Sequence, residues 1–325
     1  MTRVLVTGGS GFIGTNLVQE LLLRGGGVVL STDLRQPLAP KHAPLWRELD
    51  VTDAAQVRRV MEEFAPEVVF HCAARTDLDG VTAEDYRVNV SGTQNIARAL
   101  ALAGGRTRLI VLSSMLVCRL GHVPQGEDDY CPRTAYGESK AQAERWLRAQ
   151  GNQRVPWVIA RPTSIWGPWF GAPYRQFFQS IAARRFRTPH GWSTRRSLGY
   201  VGNTVHQLLC LADAPHEQVA GRTFYVCDYE AVRLGDWADA IAAALQVRRA
   251  PVMGRTLLRV AARTGDLMQA LGVGNPPLTS FRLQNMLTDA VFDTRSMEAV
   301  CGRLPYQTEQ GVARTIAWLR EQQLI

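Results

Sequence analysis

The sequence contains almost no lysine. Only two of its 37 basic residues are lysine, Lys41 and Lys140, and the other 35 are arginine. The formal net charge is +8, but the arginines do not form the aromatic-interleaved basic patch that is typical of nucleic-acid-binding surfaces. We therefore expect no nucleic-acid partner. Each remaining lysine is a candidate for a specific role, because arginine cannot replace it as a compact charge with a tunable pKa.

Long apolar runs and closely spaced cysteines are also missing. No stretch of about 18 uninterrupted apolar residues occurs, and the first residues run directly into a strand-like segment. We therefore expect no membrane span, no signal peptide and a cytoplasmic location. The six cysteines are scattered without a C-x-x-C pair, which predicts no disulfide framework and no metal site. With 46% hydrophobic and 20% charged residues, the composition excludes a disordered chain.

Short β-branched runs alternate with longer helical patterns in the first half of the chain. This alternation is typical of βαβ units and predicts an α/β fold with a doubly wound, Rossmann-type parallel sheet. The predicted strands cover residues 3–7, 28–32, 67–72, 109–113 and 157–160. The predicted helices between them cover residues 13–24, 54–64, 83–103 and 135–150.

A glycine-rich turn joins the first predicted strand to the first predicted helix. Gly8, Gly11 and Gly14 follow the strand at G-x-x-G-x-x-G spacing. Gly8 permits the tight turn, Gly11 lets the backbone approach a pyrophosphate, and Gly14 lets the helix pack closely on the strand. The helix predicted over residues 13–24 presents free N–H groups and the positive end of its dipole to phosphates. The turn therefore predicts a dinucleotide site.

A carboxylate at the end of the second strand indicates which dinucleotide binds. Asp33 lies nineteen residues beyond Gly14, where a carboxylate accepts hydrogen bonds from an adenosine ribose and repels a 2′-phosphate. NAD is therefore favoured over NADP. Arg35 could accommodate a phosphate in part, so NADP remains the less favoured alternative, and Asp33 taken alone could be an ordinary turn residue.

The pattern changes after about Gly167, where prolines and aromatic residues interrupt the repeat. Helices are predicted at residues 174–185, 204–212, 234–245, 255–271 and 309–322, with one strand at 223–227. We predict an NAD-binding domain over residues 1–167, to which later segments return. Residues 168–325 are predicted to form a smaller, mostly helical region that mainly binds the substrate.

Tyr136 and Lys140 lie four residues apart on a predicted helix, so their side chains share one face. A nearby ammonium stabilises a phenolate and lowers the pKa of the tyrosine. Tyr136 can then exchange a proton with a substrate oxygen while a nicotinamide exchanges a hydride. The alternative is a solvated pair on a helix surface.

Two serines end a predicted strand just upstream of this helix. Ser113 and Ser114 follow an apolar run, at the strand end where an open α/β sheet presents residues to its ligand. The Ser114 hydroxyl is placed to hydrogen-bond the reacting oxygen beside the tyrosine. Serines at strand ends also commonly cap local backbone groups.

Together these residues resemble the extended short-chain dehydrogenase/reductase family, the NAD-dependent epimerases and dehydratases that act mostly on nucleotide-linked sugars. The resemblance covers nearly the whole chain. The matching motifs are T-G-G-x-G-F-I-G at residues 7–14, D-x-x-D at 50–53, H-x-A-A at 71–74, N-V-x-G-T-x-N at 89–95 and Y-x-x-x-K at 136–140. The segment R-P-T-S-I-W-G-P at 161–168 is similar to the family's R-x-x-N-V-Y-G-P. The cofactor-binding residues that the turn, the strand ends and the resemblance together imply are Gly8, Gly11, Phe12, Ile13, Gly14, Asp33, Leu34, Arg35, Asp50, Val51, Ala73, Ala74, Arg75, Asn89, Ser113, Tyr136, Lys140, Pro162 and Thr163.

The resemblance also implies substrate contacts and a homodimer. Arg196 aligns with an arginine that grips the substrate diphosphate, a task that suits a bidentate guanidinium. The implied substrate-binding residues are Thr76, Ser114, Ser164 and Arg196. Members of the family usually dimerise through the two long helices that correspond to residues 83–103 and 135–150.

Departures from the family pattern narrow the chemistry. Met115 and Leu116 follow Ser114 where dehydratases and decarboxylases place acidic residues, so 4,6-dehydration and decarboxylation are disfavoured. The leading hypothesis is a C4 epimerase or 4-ketoreductase of a nucleoside-diphosphate sugar. Ser164 replaces an asparagine that commonly touches the substrate, which leaves open a dehydrogenase or reductase of a steroid, lactone or flavonoid-like ketone. A non-catalytic dinucleotide-binding protein is the least favoured alternative, because such proteins typically lose the tyrosine or the lysine.

Overall fold

A seven-stranded parallel sheet forms the centre of this computed structural model, which describes residues 2–104, 106–152, 154–273, 276 and 278–325. The strands are β1 (Thr2–Thr7), β2 (Gly27–Asp33), β3 (Trp46–Glu48), β4 (Val68–His71), β5 (Arg108–Leu112), β6 (Trp157–Pro162), β7 (Ser164–Trp166), β8 (Thr188–Pro189), β9 (Arg195–Arg196), β10 (Leu198–Tyr200), β11 (Thr223–Val226), β12 (Val232–Arg233) and β13 (Val252–Met253). The sheet order is β11-β6-β5-β4-β1-β2-β3, and every neighbouring pair in it is parallel. The chain order reverses between β1 and β4, which confirms the predicted doubly wound sheet and places a ligand crevice there.

Helices cover both faces of the sheet. They are α1 (Phe12–Arg24), α2 (Ala54–Phe64), α3 (Arg87–Leu102), α4 (Ala135–Ala149), α5 (Tyr174–Ala182), α6 (Val201–Asp213), α7 (His216–Val219), α8 (Leu234–Leu245), α9 (Arg255–Ala270), α10 (Ser280–Leu287), α11 (Arg295–Cys301) and α12 (Thr308–Glu321). None of the helices in the described part of the chain combines the length and apolar character that a membrane crossing requires.

Side-chain alternation along the strands creates a core on each face. In β1, Val4 and Val6 belong to one buried cluster, whereas Leu5 belongs to the other. Successive strand residues point to opposite faces, and a strand covered on both faces is apolar throughout. Helices α2, α3 and α4 close the Leu5 side, and α1, α6 and α8 close the other. The carboxyl ends of β1, β4 and β5 therefore meet at one fixed edge.

Most predicted elements have their counterparts in the structure, with three kinds of difference. The strands that were not predicted have two or three residues each, too few for an alternating pattern to stand out; they are β3, β7, β8, β9, β10, β12 and β13. The segment predicted as one helix over 83–103 begins with a 3-10 turn at Ala83–Tyr86, which Thr82 and Asp85 close with a capping box, and α3 then starts at Arg87. Helices α7, α10 and α11 were not predicted from the sequence. They have four, eight and seven residues, which is too short for a helical period to stand out.

Segments from beyond residue 167 complete the first half of the fold. Strand β11 adds to β6 at the edge of the sheet, and α6 packs on the same core as β1. The region after residue 167 is mostly helical, with the short strand pairs β9–β12 and β8–β13, and its strand β10 pairs with β7 just before residue 167. The boundary at residue 167 and a homodimer through α3 and α4 remain predictions.

Candidate functional site

The glycine turn between β1 and α1 has no room for a side chain at Gly8 or Gly14. Gly8 has φ +71°, and a Cβ there would lie 2.4 Å from the Ala73 nitrogen. A Cβ on Gly14 would lie 2.1 Å from the Gly8 carbonyl oxygen, so the helix packs against the turn as predicted. Gly11 is the N-cap of α1 and provides no capping side chain, and the first turn has no acidic residue. The helix therefore presents its N-terminal N–H groups at the carboxyl edge of the sheet, next to the point between β1 and β4 where the strand order reverses.

The Asp33 carboxylate is held beside this turn. Its two oxygens accept the backbone N–H groups of Ser10 at 3.2 Å and Arg35 at 3.0 Å. The Asp33 side chain is 12% exposed, whereas the Arg35 side chain, 3.9 Å away, is 77% exposed. Leu34 is also exposed. A glycine-rich turn, an uncapped helix N-terminus and a fixed carboxylate at the second strand end fit a bound NAD.

The D-x-x-D segment at residues 50–53 forms a tight turn before α2. The Asp50 carboxylate accepts from the Thr52 N–H at 2.8 Å and the Thr52 hydroxyl at 2.7 Å. Val51 is buried, and a Cβ on Gly92 would lie 2.8 Å from its side chain. Both carboxylates of the motif have structural partners, because Asp53 caps α2 through the N–H groups of Ala55 and Gln56. Cofactor contacts at Asp50 and Val51 remain predictions.

Asn89 connects the strand-β4 end to two helices. Its Oδ1 accepts the Arg75 N–H at 2.9 Å, and its Nδ2 donates to the Arg75 carbonyl at 3.0 Å and to Ser139 Oγ at 2.9 Å. The Arg75 guanidinium itself is paired with Asp77 at 2.8 Å. The structure thus fixes the backbone over Ala73, Ala74 and Arg75 against the glycine turn, and Arg75 directs its charge away to Asp77.

Ser114, Tyr136 and Lys140 are buried together where β5 ends. Their exposed fractions are 8%, 8% and 5%. The Lys140 ammonium donates to the Leu112 carbonyl at 2.8 Å, which attaches α4 to the last residue of β5. The Ser114 Oγ accepts the Leu116 N–H at 3.1 Å, so the serine also caps a local turn. The Tyr136–Lys140 pair is therefore buried, and the alternative of a solvated helix pair is wrong.

Burial controls the pKa values of this group. Desolvation raises the pKa of Tyr136 to about 12, although its hydrogen bond with Ser114 acts in the opposite direction. Desolvation also lowers the pKa of Lys140 to about 8, against the charges of Cys72 and Glu144. Burial of the phenol dominates the pKa of Tyr136 in this structure, and the ammonium is hydrogen-bonded to the Leu112 carbonyl. A lowering of the Tyr136 pKa by Lys140 remains a prediction. A phenol in this environment keeps its proton at neutral pH.

Gly137 is a site-forming residue that the motif analysis missed. A Cβ at this position would lie 2.1 Å from the Leu116 carbonyl oxygen. The absence of a side chain lets the first turn of α4 approach the segment after Ser114. The signal was present in the sequence as the glycine directly after Tyr136, but its meaning depends on a neighbour twenty-one residues away.

A buried ion pair lies behind the strand end. Arg161 Nη2 and Glu144 Oε2 are 2.6 Å apart, with side chains 0% and 1% exposed. The Ser113 hydroxyl donates to the Glu144 carboxylate, and the Tyr130 hydroxyl donates to it at 3.0 Å. Ser113, which is predicted to contact the cofactor, thus has its side chain engaged with Glu144. Sequence reasoning did not identify Glu144.

The end of β6 carries three further predicted residues. Pro162 ends the strand, and the Thr163 hydroxyl donates to the Ser197 carbonyl at 2.8 Å. The Ser164 hydroxyl is buried and has no hydrogen-bond partner among the described residues. A substrate contact at Ser164 remains a prediction.

The two remaining predicted substrate residues differ in their surroundings. Arg196 is 7% exposed, and its Nη2 donates to the carbonyls of Asn285 at 2.5 Å and Thr288 at 2.9 Å. Arg196 therefore provides hydrogen-bond donors for backbone carbonyls at the carboxyl end of α10. Thr76 is exposed beside the Arg75–Asp77 pair. The diphosphate role of Arg196 remains a prediction, and the guanidinium already has partners within the chain.

The aromatic residues after β6 form part of the core. Trp166, Phe170 and Phe178 are 0%, 1% and 0% exposed and pack with Tyr200 and Trp237. These rings fill the space between the sheet and α5, α8 and α12. These aromatic side chains are therefore part of the core that supports the sheet.

One family model and several known proteins are similar to this chain over most of its length. The model of the NAD dependent epimerase/dehydratase family matches residues 4–227. A 3 beta-hydroxysteroid dehydrogenase/Delta 5-->4-isomerase of Mycobacterium tuberculosis is 30% identical over 327 residues, covering 95% of this chain and 87% of that protein. A UDP-glucose 4-epimerase of Vibrio cholerae is 32% identical over 254 residues, covering 74% of this chain and 75% of that protein. The structure of the UDP-glucose 4-epimerase of Thermotoga maritima with UDP-glucose superposes with a TM-score of 0.76 at 17% identity, covering 98% of this chain and 99% of that one.

Proposed function

The chain belongs to the NAD dependent epimerase/dehydratase family, and on this premise we propose that it interconverts a secondary alcohol and a ketone, with Tyr136 exchanging the proton. Its cofactor is NAD. The observation that supports the proposal is the burial of Ser114, Tyr136 and Lys140 together at the end of β5, beside the glycine turn. When bound, the cofactor would exchange the hydride with the substrate carbon: NAD+ would accept it from the alcohol, and NADH would donate it to the ketone.

Each residue of the group has a distinct role in this proposal. The Tyr136 hydroxyl, protonated at neutral pH, donates its proton to the oxygen of a ketone that is being reduced. The Ser114 hydroxyl hydrogen-bonds the same oxygen and fixes its position. The Lys140 ammonium holds α4 to the Leu112 carbonyl and provides the positive charge that stabilises the tyrosinate left after donation.

For the substrate we propose a non-nucleotide ring alcohol or ketone, such as a steroid, lactone or flavonoid-like ketone. Arg196, the residue that would grip a diphosphate, is nearly buried and bonded to the carboxyl end of α10. The apolar Met115 follows Ser114 where an acidic residue would be needed for dehydration. The M. tuberculosis relative, which is matched over nearly the whole chain, is named for a steroid.

A second candidate is a C4 epimerase or 4-ketoreductase of a nucleoside-diphosphate sugar. The V. cholerae relative favours it by name, and Arg196 keeps the sequence position of a diphosphate-binding arginine. A calorimetric titration with UDP alone separates the two candidates, because only the second predicts that UDP binds. Mass analysis of nucleotides released on denaturation adds a second distinction, since an epimerase retains NAD and a dehydrogenase exchanges it.

The proton role is tested by Tyr136→Phe with NAD and a 3β-hydroxysteroid as probes. Removing a positioned acid/base group lowers turnover by about 10²- to 10⁴-fold, whereas NAD affinity in a fluorescence titration should stay unchanged. Tyr306→Phe is the matched control, because Tyr306 packs through its ring on Tyr200 away from the site. Turnover near that of the unmodified protein in Tyr136→Phe would show that Tyr136 does not transfer the proton.

A further inference from the structure

Four side chains of the kinds that bind metals meet between β5 and α4. Cys118, His122, Asp129 and Cys131 each offer one ligand atom, and these atoms all lie within 4.8 Å of one another. In a tetrahedral zinc site with bonds of about 2.0–2.3 Å, the ligand atoms lie about 3.3–3.8 Å apart. Side-chain movements of about 1–1.5 Å are therefore enough to close the shell.

The backbone holds the two thiols side by side. Cys118 and Cys131 are partners in an isolated β-bridge. The Arg119 N–H donates to the Cys131 carbonyl at 2.9 Å, and the Cys131 N–H donates to the Val117 carbonyl at 3.0 Å. The pairing of these cysteines is thus fixed by main-chain hydrogen bonds, and it does not depend on the rotation of free side chains.

The other two ligand groups are directed into the same place. His122 Nε2 lies 2.8 Å from Asp129 Oδ2, and that oxygen also accepts the Gln125 N–H at 2.9 Å. The Asp129 carbonyl accepts from Cys118 Sγ at 3.0 Å. Such an oriented carboxylate and imidazole are what a preformed site requires.

Burial and charge also suit a bound cation. Cys118 is 1% exposed, whereas the His122 and Asp129 side chains are 24% and 27% exposed, which gives a shielded site with an entry path. Two thiolates and one carboxylate carry three negative charges against a divalent ion. The Arg161 guanidinium, whose direct partner is Glu144, also acts electrostatically on Cys118 and Asp129.

We propose that Cys118, His122, Asp129 and Cys131 form a structural site for one zinc ion. Because the protein supplies all four ligands, the shell is closed, as in structural zinc sites. Cys118 lies four residues after Ser114, and Cys131 lies five before Tyr136. The ion therefore fixes the segment that joins the two halves of the candidate active site. The sequence predicted no metal site because its cysteines lack C-x-x-C spacing. That argument does not cover Cys118 and Cys131, since the β-bridge brings them together across twelve intervening residues.

A second group of thiols provides an internal comparison. His206 Nε2 lies 3.6 Å from Cys210 Sγ, and Cys301 Sγ lies 2.8 Å from Cys210 Sγ. This group offers three ligands, one fewer than a closed shell needs. Cys301→Ser is therefore the matched control for the two bridge cysteines, and Asp128→Asn is the matched control for Asp129→Asn.

The experiment measures metal content in the full-length protein, purified under reducing conditions, loaded with zinc chloride and desalted. We expect about one zinc per chain in the unmodified protein, Cys301→Ser and Asp128→Asn. We expect it to be lost in Cys118→Ser and Cys131→Ser and reduced in Asp129→Asn. Cobalt loading should give a thiolate-to-cobalt charge-transfer band that the two bridge-cysteine variants lack. Zinc-free unmodified protein, or zinc that depends on Cys301 and not on Cys118, overturns the proposal.

A second measurement does not depend on the folding of the variants. A strong chelator should strip the zinc from the unmodified protein and lower its Tm, and added zinc chloride should restore the Tm. Ligand that binds only the folded state stabilises it by mass action. A Tm that stays the same after the metal has been removed overturns the structural role, as does a Cys118–Cys131 disulfide that forms in place of the metal under the reducing conditions.

Discussion

Replacing Glu144 by glutamine should leave the Arg161 guanidinium buried without its counter-charge. The two side chains are 2.6 Å apart and 0% and 1% exposed, and Arg161 Nε also donates to Glu144 at 3.0 Å. Glutamine keeps the shape of the side chain but removes the negative charge. It also presents an amide N–H₂ to groups that now donate to the carboxylate, including the Ser113 hydroxyl.

The expected cost is large. Removing one partner of a buried pair destabilises a protein by about 3–5 kcal/mol, because the remaining charge cannot return to water. Total stabilities are about 5–15 kcal/mol, so Glu144→Gln should remove a substantial fraction. The same change at Glu138 on the same helix affects a pair with Arg145 whose side chains are 36% and 46% exposed. That pair should contribute about 0.2–1 kcal/mol.

Urea unfolding at 25 °C, followed by circular dichroism, measures both free energies of unfolding. The m value should be unchanged, because the surface exposed on unfolding is the same. The comparison of Glu144→Gln with Glu138→Gln isolates burial from the chemistry of the substitution. If the free energy of unfolding of Glu144→Gln lies within about 1 kcal/mol of that of the unmodified protein, the argument is refuted that this change leaves the Arg161 charge buried without a partner.

Two further predictions concern packing and pH. Gly14→Ala should cost about 1–3 kcal/mol or more by overpacking, since its Cβ would lie 2.1 Å from the Gly8 oxygen, whereas Gly171→Ala, with open space around it, should be near neutral in the same urea assay. Burial raises the pKa of Asp228 to about 7, above its unfolded value of about 3.9, so the folded state binds the extra proton between these values. The stability from this group is complete below about pH 4 and is lost as pH rises through about 7. Asp228→Asn should remove up to about 4 kcal/mol of that pH dependence; parallel stability–pH curves for the two proteins would contradict this.

The fold was largely predictable because its signals are local. The helices at Ala54–Phe64 and Leu234–Leu245 match their predicted bounds, since an apolar period of 3.6 residues marks them clearly. The missed helices α7, α10 and α11 are short and depend on their neighbours. The 3-10 turn at Ala83–Tyr86 was read as part of α3 because the two conformations have nearly the same side-chain pattern.

The sequence predicted which residues form the candidate site, but it did not predict which other residues surround them. The sequence identified Ser114, Tyr136 and Lys140, and the structure brings them together. It did not identify Glu144 or the need for glycine at residue 137, because both depend on groups far away along the chain. Arg196 was singled out by its motif, yet its nearest partners lie 89 and 92 residues further along the chain, in and just after α10.

The sequence alone determined the longer strands and helices, the glycine turn, and the spacing that places a tyrosine and a lysine on one helix face. These features depend on backbone preferences and on periods of two and 3.6 residues, which act over a few positions. Only the tertiary structure decided the electrostatics. Burial raises the pKa of Tyr136 and lowers that of Lys140, and the β-bridge brings Cys118 and Cys131 together. Desolvation and long-range pairing depend on every group that surrounds a side chain, and no local pattern in the sequence records that.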